Sequence, residues 1–172
     1  MTKSGKMIVI SDSTPIITLM KANRLKILNK LFGDVFVPNA VFHELTDNER
    51  FTEEAALIRH SNFIKIVNVN NEEAVSLLQK IAGLDRGESE AIIYAEENRA
   101  DLLLMDEAAG RNAARKIGLK IMGSIGVLVN AFRVGILSAS EIEEAFYRIK
   151  KSNRHISERI IQDALDIVHN FY

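Results

Sequence analysis

Short β-branched runs alternate with longer amphipathic stretches along most of the chain. Met7-Ile8-Val9-Ile10-Ser11, Val35-Phe36-Val37, Phe63 to Val67, Leu102-Leu103-Leu104-Met105 and Leu119 to Met122 are apolar runs of strand length. Such runs predict strands buried on both faces, as in a parallel sheet. The stretches between them predict helices. Thr14 reads as an N-cap and Pro15 as the first helical residue of a helix that continues to Leu31 after a break near Asn23. Pro38 opens a helix through Leu45, and residues 53–60 form another. Asn71 starts one that stops near Gly83, and Gly87 starts the next, to about Arg99. Residues 107–117 are helical and Gly118 stops them. Ser124 caps a helix to about Val134, and Ser140 with Glu143 reads as a capping box. The last amphipathic helix runs from Ile156 to Asn170. Five strands separated by helices predict an α/β fold, a three-layer α/β/α sandwich on a central parallel five-stranded sheet. In such sheets ligands bind beyond the carboxyl ends of the strands.

Composition narrows the function classes. The 172 residues suit one domain over the whole chain, and 47% apolar with 26% charged is ordinary globular composition. No cysteine is present, which excludes disulfide frameworks, thiolate zinc sites and cysteine nucleophiles. A net charge of -1 excludes a strongly basic nucleic-acid coat and leaves room for a local patch. No apolar run is long enough for a membrane helix. The basic opening, Met1 to Lys6, is followed by too short an apolar run for a signal peptide, and Met7 offers an alternative start. The expectation is a cytoplasmic protein with no membrane contact.

Acidic residues stand in awkward places. Asp12 ends the first strand and Asp106 the fourth. Each has a plain structural reading: a turn or cap at Asp12, and the cap of the helix starting at Glu107 for Asp106. Glu44 borders the buried stripe of Val41, Phe42 and Leu45. Glu88 continues the stripe of Ala91, Ile92 and Ala95, whereas Glu90 lies on another with Ile93, Tyr94 and Glu97. A carboxylate on a buried stripe is costly unless something positive meets it. Four carboxylates in one small volume would repel one another, and a divalent cation removes the conflict. Oxygen-only ligands favour Mg²⁺ or Mn²⁺ over Zn²⁺. The histidines at 43, 60, 155 and 169 show no metal spacing.

At this point the chain resembles a PIN domain, the nuclease fold of VapC-type toxins, in a branch of bacterial and archaeal proteins. The similarity covers about residues 7–135 by motif, with helices over about 140–170 fitting more loosely. It rests on the strand before Asp12-Ser13-Thr14-Pro15-Ile16, on Val41-Phe42-His43-Glu44-Leu45, and on Gly87-Glu88-Ser89-Glu90-Ala91-Ile92. Leu104-Met105-Asp106-Glu107 with Gly110-Arg111, and Gly123-Ser124-Ile125-Gly126-Val127-Leu128, complete it. The resemblance implies metal-dependent cleavage of RNA phosphodiesters by an endoribonuclease. Asp12 and Asp106 would be the inner ligands of Mg²⁺ or Mn²⁺, with Glu44 and Glu88 completing the site. Glu88 stands where most PIN nucleases carry Asp. Glu90, Asp85 and Glu107 are alternatives to an assigned acid.

The resemblance also suggests the toxin of a toxin–antitoxin pair, with a small antitoxin partner and a homodimer. Ser13 is a candidate hydrogen-bond donor to Asp12 or a phosphate oxygen. Ser124, at a helix start, is a candidate phosphate contact or an ordinary cap. Arg111 and Arg115, spaced i, i+4, would lead RNA toward the metal. Arg148, Lys150, Lys151, Arg154 and Arg159 read as a solvated face. The stripe of Ile156, Ile160, Ile161, Ala164, Leu165 and Val168 packs on its own domain or presents a partner face. The rival from another class is a PIN-like module that binds protein or RNA without catalysis. A haloacid-dehalogenase-like phosphatase would need Asp where Thr14 stands. A von Willebrand-type adhesion site would need Ser where Thr14 and Ile16 stand.

Overall fold

Each strand of the central sheet is only two to four residues long, so nearly all its stability comes from what covers it. The computed structural model describes residues 6–152, 154 and 156–171. The strands are β1 (Val9–Ser11), β2 (Val35–Pro38), β3 (Ile64–Val67), β4 (Leu102–Leu104) and β5 (Ile121–Met122). All pairings are parallel, in the order β3-β2-β1-β4-β5. The helices are α1 (Ser13–Lys21), α2 (Ile27–Phe32), α3 (Asn39–Thr46), α4 (Thr52–His60), α5 (Glu72–Ala82), α6 (Arg86–Glu97), α7 (Ala108–Lys116), α8 (Ser124–Arg133), α9 (Ala139–Lys151) and α10 (Glu158–His169). A 3₁₀ turn, Glu49–Phe51, precedes α4.

Alternation along the strands divides the core in two. Val9, Val35, Val37, Leu102 and Leu104 face one layer, which includes α1, α2, α8, α9 and α10. Ile10, Leu103 and Met105 face the other, built on Leu84, Ala91, Ile92, Ala95 and Ala114 around α6 and α7. This is the expected α/β/α sandwich. Burying each large aliphatic side chain contributes roughly 1.5–3 kcal/mol. Ile161, Ala164 and Val168 are buried in the larger cluster and Ile156 and Leu165 pack against it, whereas Ile160 of the same stripe is half exposed. No helix among the described residues is long and apolar enough to cross a membrane.

The elements fall where the hydrophobic runs place them, but several caps move. The helix after β1 starts at Ser13, with Asp12 as its extended N-cap residue and Pro15 third in the helix. Asp12 makes no side-chain cap bond there. Gly123, not Ser124, is the N-cap of α8. The capping box of α9 uses Ser138 and Glu141 rather than Ser140 and Glu143. Both pairs have the same spacing, and the choice falls to the one where the chain leaves the Gly135 turn. The helix predicted to open at Gly87 has its cap two residues earlier, at Asp85. Asn71 caps α5 by accepting the Ala74 N–H, and left-handed Gly83 ends it, as the sequence suggests. The predicted break near Asn23 is real, with φ of 55° at that residue. Met1 to Gly5, Asn153, His155 and Tyr172 lie outside the described residues.

Candidate functional site

Strand order decides where the acids meet. The chain builds β1, β2 and β3 outward in one direction, then returns to lay β4 on the other side of β1. The gap between the ends of β1 and β4 is therefore the topological switch point, where helices on opposite faces leave a crevice. Asp12 follows β1 there, and Asp106 follows β4 one residue further along the register. The Asp12 N–H still donates to the Leu104 carbonyl at 3.0 Å, so the two strand ends are locked together.

Asp12 is 1% exposed. Burial pushes its carboxyl up to about 7, the Ser13 N–H works against that, and repulsion from Glu44, Asp85 and Glu88 adds to it. Its Oδ1 is a buried atom with no hydrogen-bond partner. Glu44 stands on the rim, on α3. Its residue is exposed, but the carboxyl lies beside the Ser13 hydroxyl and the Gly87 N–H, which favour its charged form. Burial of the carboxyl still pushes its pKa up, and Asp85 and Glu90 push it further. Ser13 thus lies beside both acids, and its N–H and hydroxyl favour the charged forms of Asp12 and Glu44 respectively.

Glu88 is buried on α6 and its pKa is likewise raised, first by burial and then by Asp85, Glu107 and Glu44. It closes a capping box: the Glu88 N–H donates to Asp85 Oδ1 at 2.8 Å, and the Asp85 N–H donates to Glu88 Oε2 at 3.0 Å. Half of the Glu88 carboxylate is thus committed to the helix cap. The other oxygen, Oε1, lies over Gly110, 3.2 Å from where a Cβ would stand. Asp85, one of the alternative acids, serves as the cap and charges the same crevice. Glu107 is the exposed N-cap residue of α7 and adds repulsion to Glu88.

Glu90 is not the surface charge that its separate helical stripe suggests. It is 4% exposed. Its Oε2 accepts the Ala40 N–H at 3.1 Å and its Oε1 accepts from Arg86 at 2.7 Å. It ties α6 to the start of α3. The helical wheel misplaces it because α3 covers that side of α6, which periodicity within α6 cannot reveal.

Asp106 does not cap α7, which begins two residues later. Its Oδ1 instead accepts the Ser124 N–H at 2.7 Å, at the start of α8. Its Oδ2 is buried and has no hydrogen-bond partner. The nearest cation is Arg111, whose guanidinium donates to the Met105 carbonyl at 2.8 Å and whose pKa is lowered chiefly by burial. Gly123 allows this: a Cβ there would come 2.9 Å from Asp106 Oδ1 and 3.1 Å from the Arg111 guanidinium. His43 pairs with Asp47, His60 with the Ala56 carbonyl and His169 with Glu143, away from the acids.

Beside Asp106 lies a groove of about 460 Å³ between α1, α7 and α8, closed by the segment entering α10. Arg111 and Ser124 line it, as do Thr18 and Arg154, which the motifs do not single out. The sequence pattern puts Arg154 on a solvated face. Arg154, between α9 and α10, instead lines the groove, a placement that belongs to tertiary packing alone.

A family model described as a PIN domain matches residues 8–170. The chain belongs to the PIN-domain family. Comparison with curated proteins returns no match. PIN domains are generally nucleases and typically use divalent metals. Whether the acids of this PIN domain suit such an ion is a matter of donor chemistry. Among the described residues no three His, Cys, Asp or Glu side chains converge closely enough to enclose one. Two buried carboxylate oxygens without partners, Asp12 Oδ1 and Asp106 Oδ2, nevertheless stand on neighbouring strand ends. Mg²⁺ is commonly held by one or two carboxylates and keeps several waters, so this donor set fits it without a closed cage.

Proposed function

We propose that this PIN-domain protein is an endoribonuclease that hydrolyses RNA phosphodiesters with Mg²⁺ or Mn²⁺ held by Asp12 and Asp106. The observation that carries the reading is the pair of buried, unpartnered carboxylate oxygens at the switch point. A buried polar atom without a partner costs about 1–3 kcal/mol, more when charged, and a cation removes that cost. Bound there, the ion would supply a water of lowered pKa and positive charge against the phosphate. The chain's own residues set the stage. Ser13, beside Asp12 and Glu44, favours the charged form of both. The Ser124 N–H fixes one oxygen of Asp106 and leaves the other free. Glu88, anchored through its cap, keeps its other oxygen over Gly110 and would add negative charge to the surroundings of the ion. Arg111 offers a cation to the RNA backbone.

The test is cleavage of varied single-stranded and hairpin RNAs with and without Mn²⁺. Metal-dependent cleavage that disappears in Asp12→Asn and Asp106→Asn supports the reading, and cleavage indifferent to both refutes it. The reading extends to a toxin with a small antitoxin partner, as the family resemblance suggests. Expression of the wild type should then arrest growth, and expression of Asp12→Asn should not.

One observation favours a second reading, a PIN-like RNA-binding module with weak or no catalysis. Half of the Glu88 carboxylate is spent on the helix cap. RNA binding by a wild type that cleaves none of the RNAs would select it.

A further inference from the structure

Five buried side-chain polar atoms among the described residues have no hydrogen-bond partner. Three of them belong to residues that line the groove beside Asp106: Thr18 Oγ1, Ser124 Oγ and Asp106 Oδ2. Thr18 and Ser124 are each 0% exposed. A helical threonine normally settles its hydroxyl on a carbonyl one turn back, and Thr18 does not. Two unspent buried hydroxyls in one groove point to a ligand that accepts hydrogen bonds. The same groove carries two guanidiniums, from Arg111 on α7 and from Arg154 on the α9–α10 connection. Neither forms an ion pair with a described residue. Arginines without a carboxylate partner, lining one groove of about 460 Å³ together with two residues that carry unsatisfied hydroxyls, have the chemistry of a phosphate seat.

We infer that this groove seats a backbone phosphate of the RNA strand next to the one being cut, and that Arg154 is its second cation. The inference rests on the ribonuclease reading and adds to it a residue from the C-terminal segment. Arg111 and Arg154 reach the groove from different elements, so a phosphate between them is bridged rather than merely attracted. Thr18 and Ser124 donate their hydroxyls to its oxygens. Glu107 and Asp106 also line the groove, and their charge opposes a phosphate, which is why one arginine would not suffice. The seat also assigns a function to the place of Arg154 between α9 and α10, on the same groove as the strand-end acid.

The experiment is fluorescence-anisotropy binding of a short fluorescein-labelled single-stranded RNA in EDTA, where no cleavage occurs, over a salt series. Arg154→Ala should weaken binding by about three- to tenfold, the loss expected for one charge-assisted contact, as Arg111→Ala should. Each should lower the salt slope by about 0.7, one phosphate on a single strand. Arg148→Ala, on an exposed residue paired with Glu144, should bind within about twofold of wild type. Thr18→Val removes an unspent hydroxyl at nearly constant shape. It should keep or raise the melting temperature while weakening RNA binding by about threefold. If Arg154→Ala binds like wild type while Arg111→Ala does not, the seat as drawn is wrong and the ribonuclease reading stands. If Thr18→Val melts lower and binds RNA unchanged, its hydroxyl is structural and the seat is again wrong. If the wild type shows no salt-dependent RNA binding, the ribonuclease reading and the seat both fail.

Discussion

Asp12 carries a cost that the fold alone does not recover. Burial holds its carboxyl at about 7, above the ordinary 3.8. Between about pH 4 and pH 7 the native chain keeps a proton there that the unfolded chain has lost. Stability therefore falls as pH rises through that window and levels off above it. Asp12→Asn should remove this dependence and raise the metal-free melting temperature above about pH 7, by an amount worth a few kcal/mol at most. Millimolar Mg²⁺ or Mn²⁺ should raise the melting temperature of the wild type by mass action and leave the mutant unmoved. Melting curves across pH, with and without metal, read both effects, and an equal metal response in the mutant would remove Asp12 from the site. Glu88 and Glu90 divide differently. Glu88→Gln keeps a side chain able to close the capping box, so stability should hold while metal-dependent cleavage drops at least about 10²-fold. Glu90→Gln removes the charge that meets Arg86 and the Ala40 N–H, so it should cost about 1–3 kcal/mol with cleavage per folded molecule within tenfold. Denaturant titration beside the cleavage assay separates the two, and the opposite pattern would exchange their roles.

At the scale of elements, close approach governs the site. The start of α6 lies against Glu44 so tightly that a Cβ on Gly87 would stand 2.3 Å from Glu44 Oε1. The Gly-Glu pair at the head of α6 thus has a physical reason: the glycine admits the acid of α3, and the glutamate behind it closes the cap. Gly87→Ala must push Glu44 aside, which breaks its contacts with Ser13 and the Gly87 amide. Alanine is the better helix former by about 1 kcal/mol, which offsets part of the steric cost. The expected result is a small change in melting temperature and a large loss of metal-dependent cleavage. Unchanged cleavage in a folded Gly87→Ala protein would show that Glu44 is dispensable. The capping positions belong to this scale too. Ser138-x-x-Glu141 and Ser140-x-x-Glu143 are equally good boxes on paper, and only the path of the chain out of the preceding turn chooses between them.

For the molecule as a whole, the C-terminal helices close the larger of the two cores. Ile161 on α10 is 2% exposed within that cluster. Ile161→Ala should therefore cost about 2–4 kcal/mol in chemical denaturation, as a buried truncation does. A change in association without a change in stability would mean that this stripe serves a partner instead. Much of the protein is written locally. The five apolar runs, the helices between them, the Asn71 and Gly83 caps and the acids at two strand ends follow from side-chain periodicity and backbone preference. These are properties of neighbouring residues, so the sequence by itself determined the α/β class and the candidates Asp12, Glu44, Glu88 and Asp106. Strand order is not local. That β4 returns to lie against β1, and so makes a switch point of Asp12 and Asp106, depends on how the layers pack. The same holds for Glu90, whose burial comes from α3 crossing over α6, and for Thr18 and Arg154, which meet in a groove although 136 residues separate them in the chain. Periodicity reports which face of an element is covered, but not by what. Only the tertiary structure decided which carboxylates carry unspent oxygens and which are consumed in holding helices together, because that depends on donors supplied by other elements.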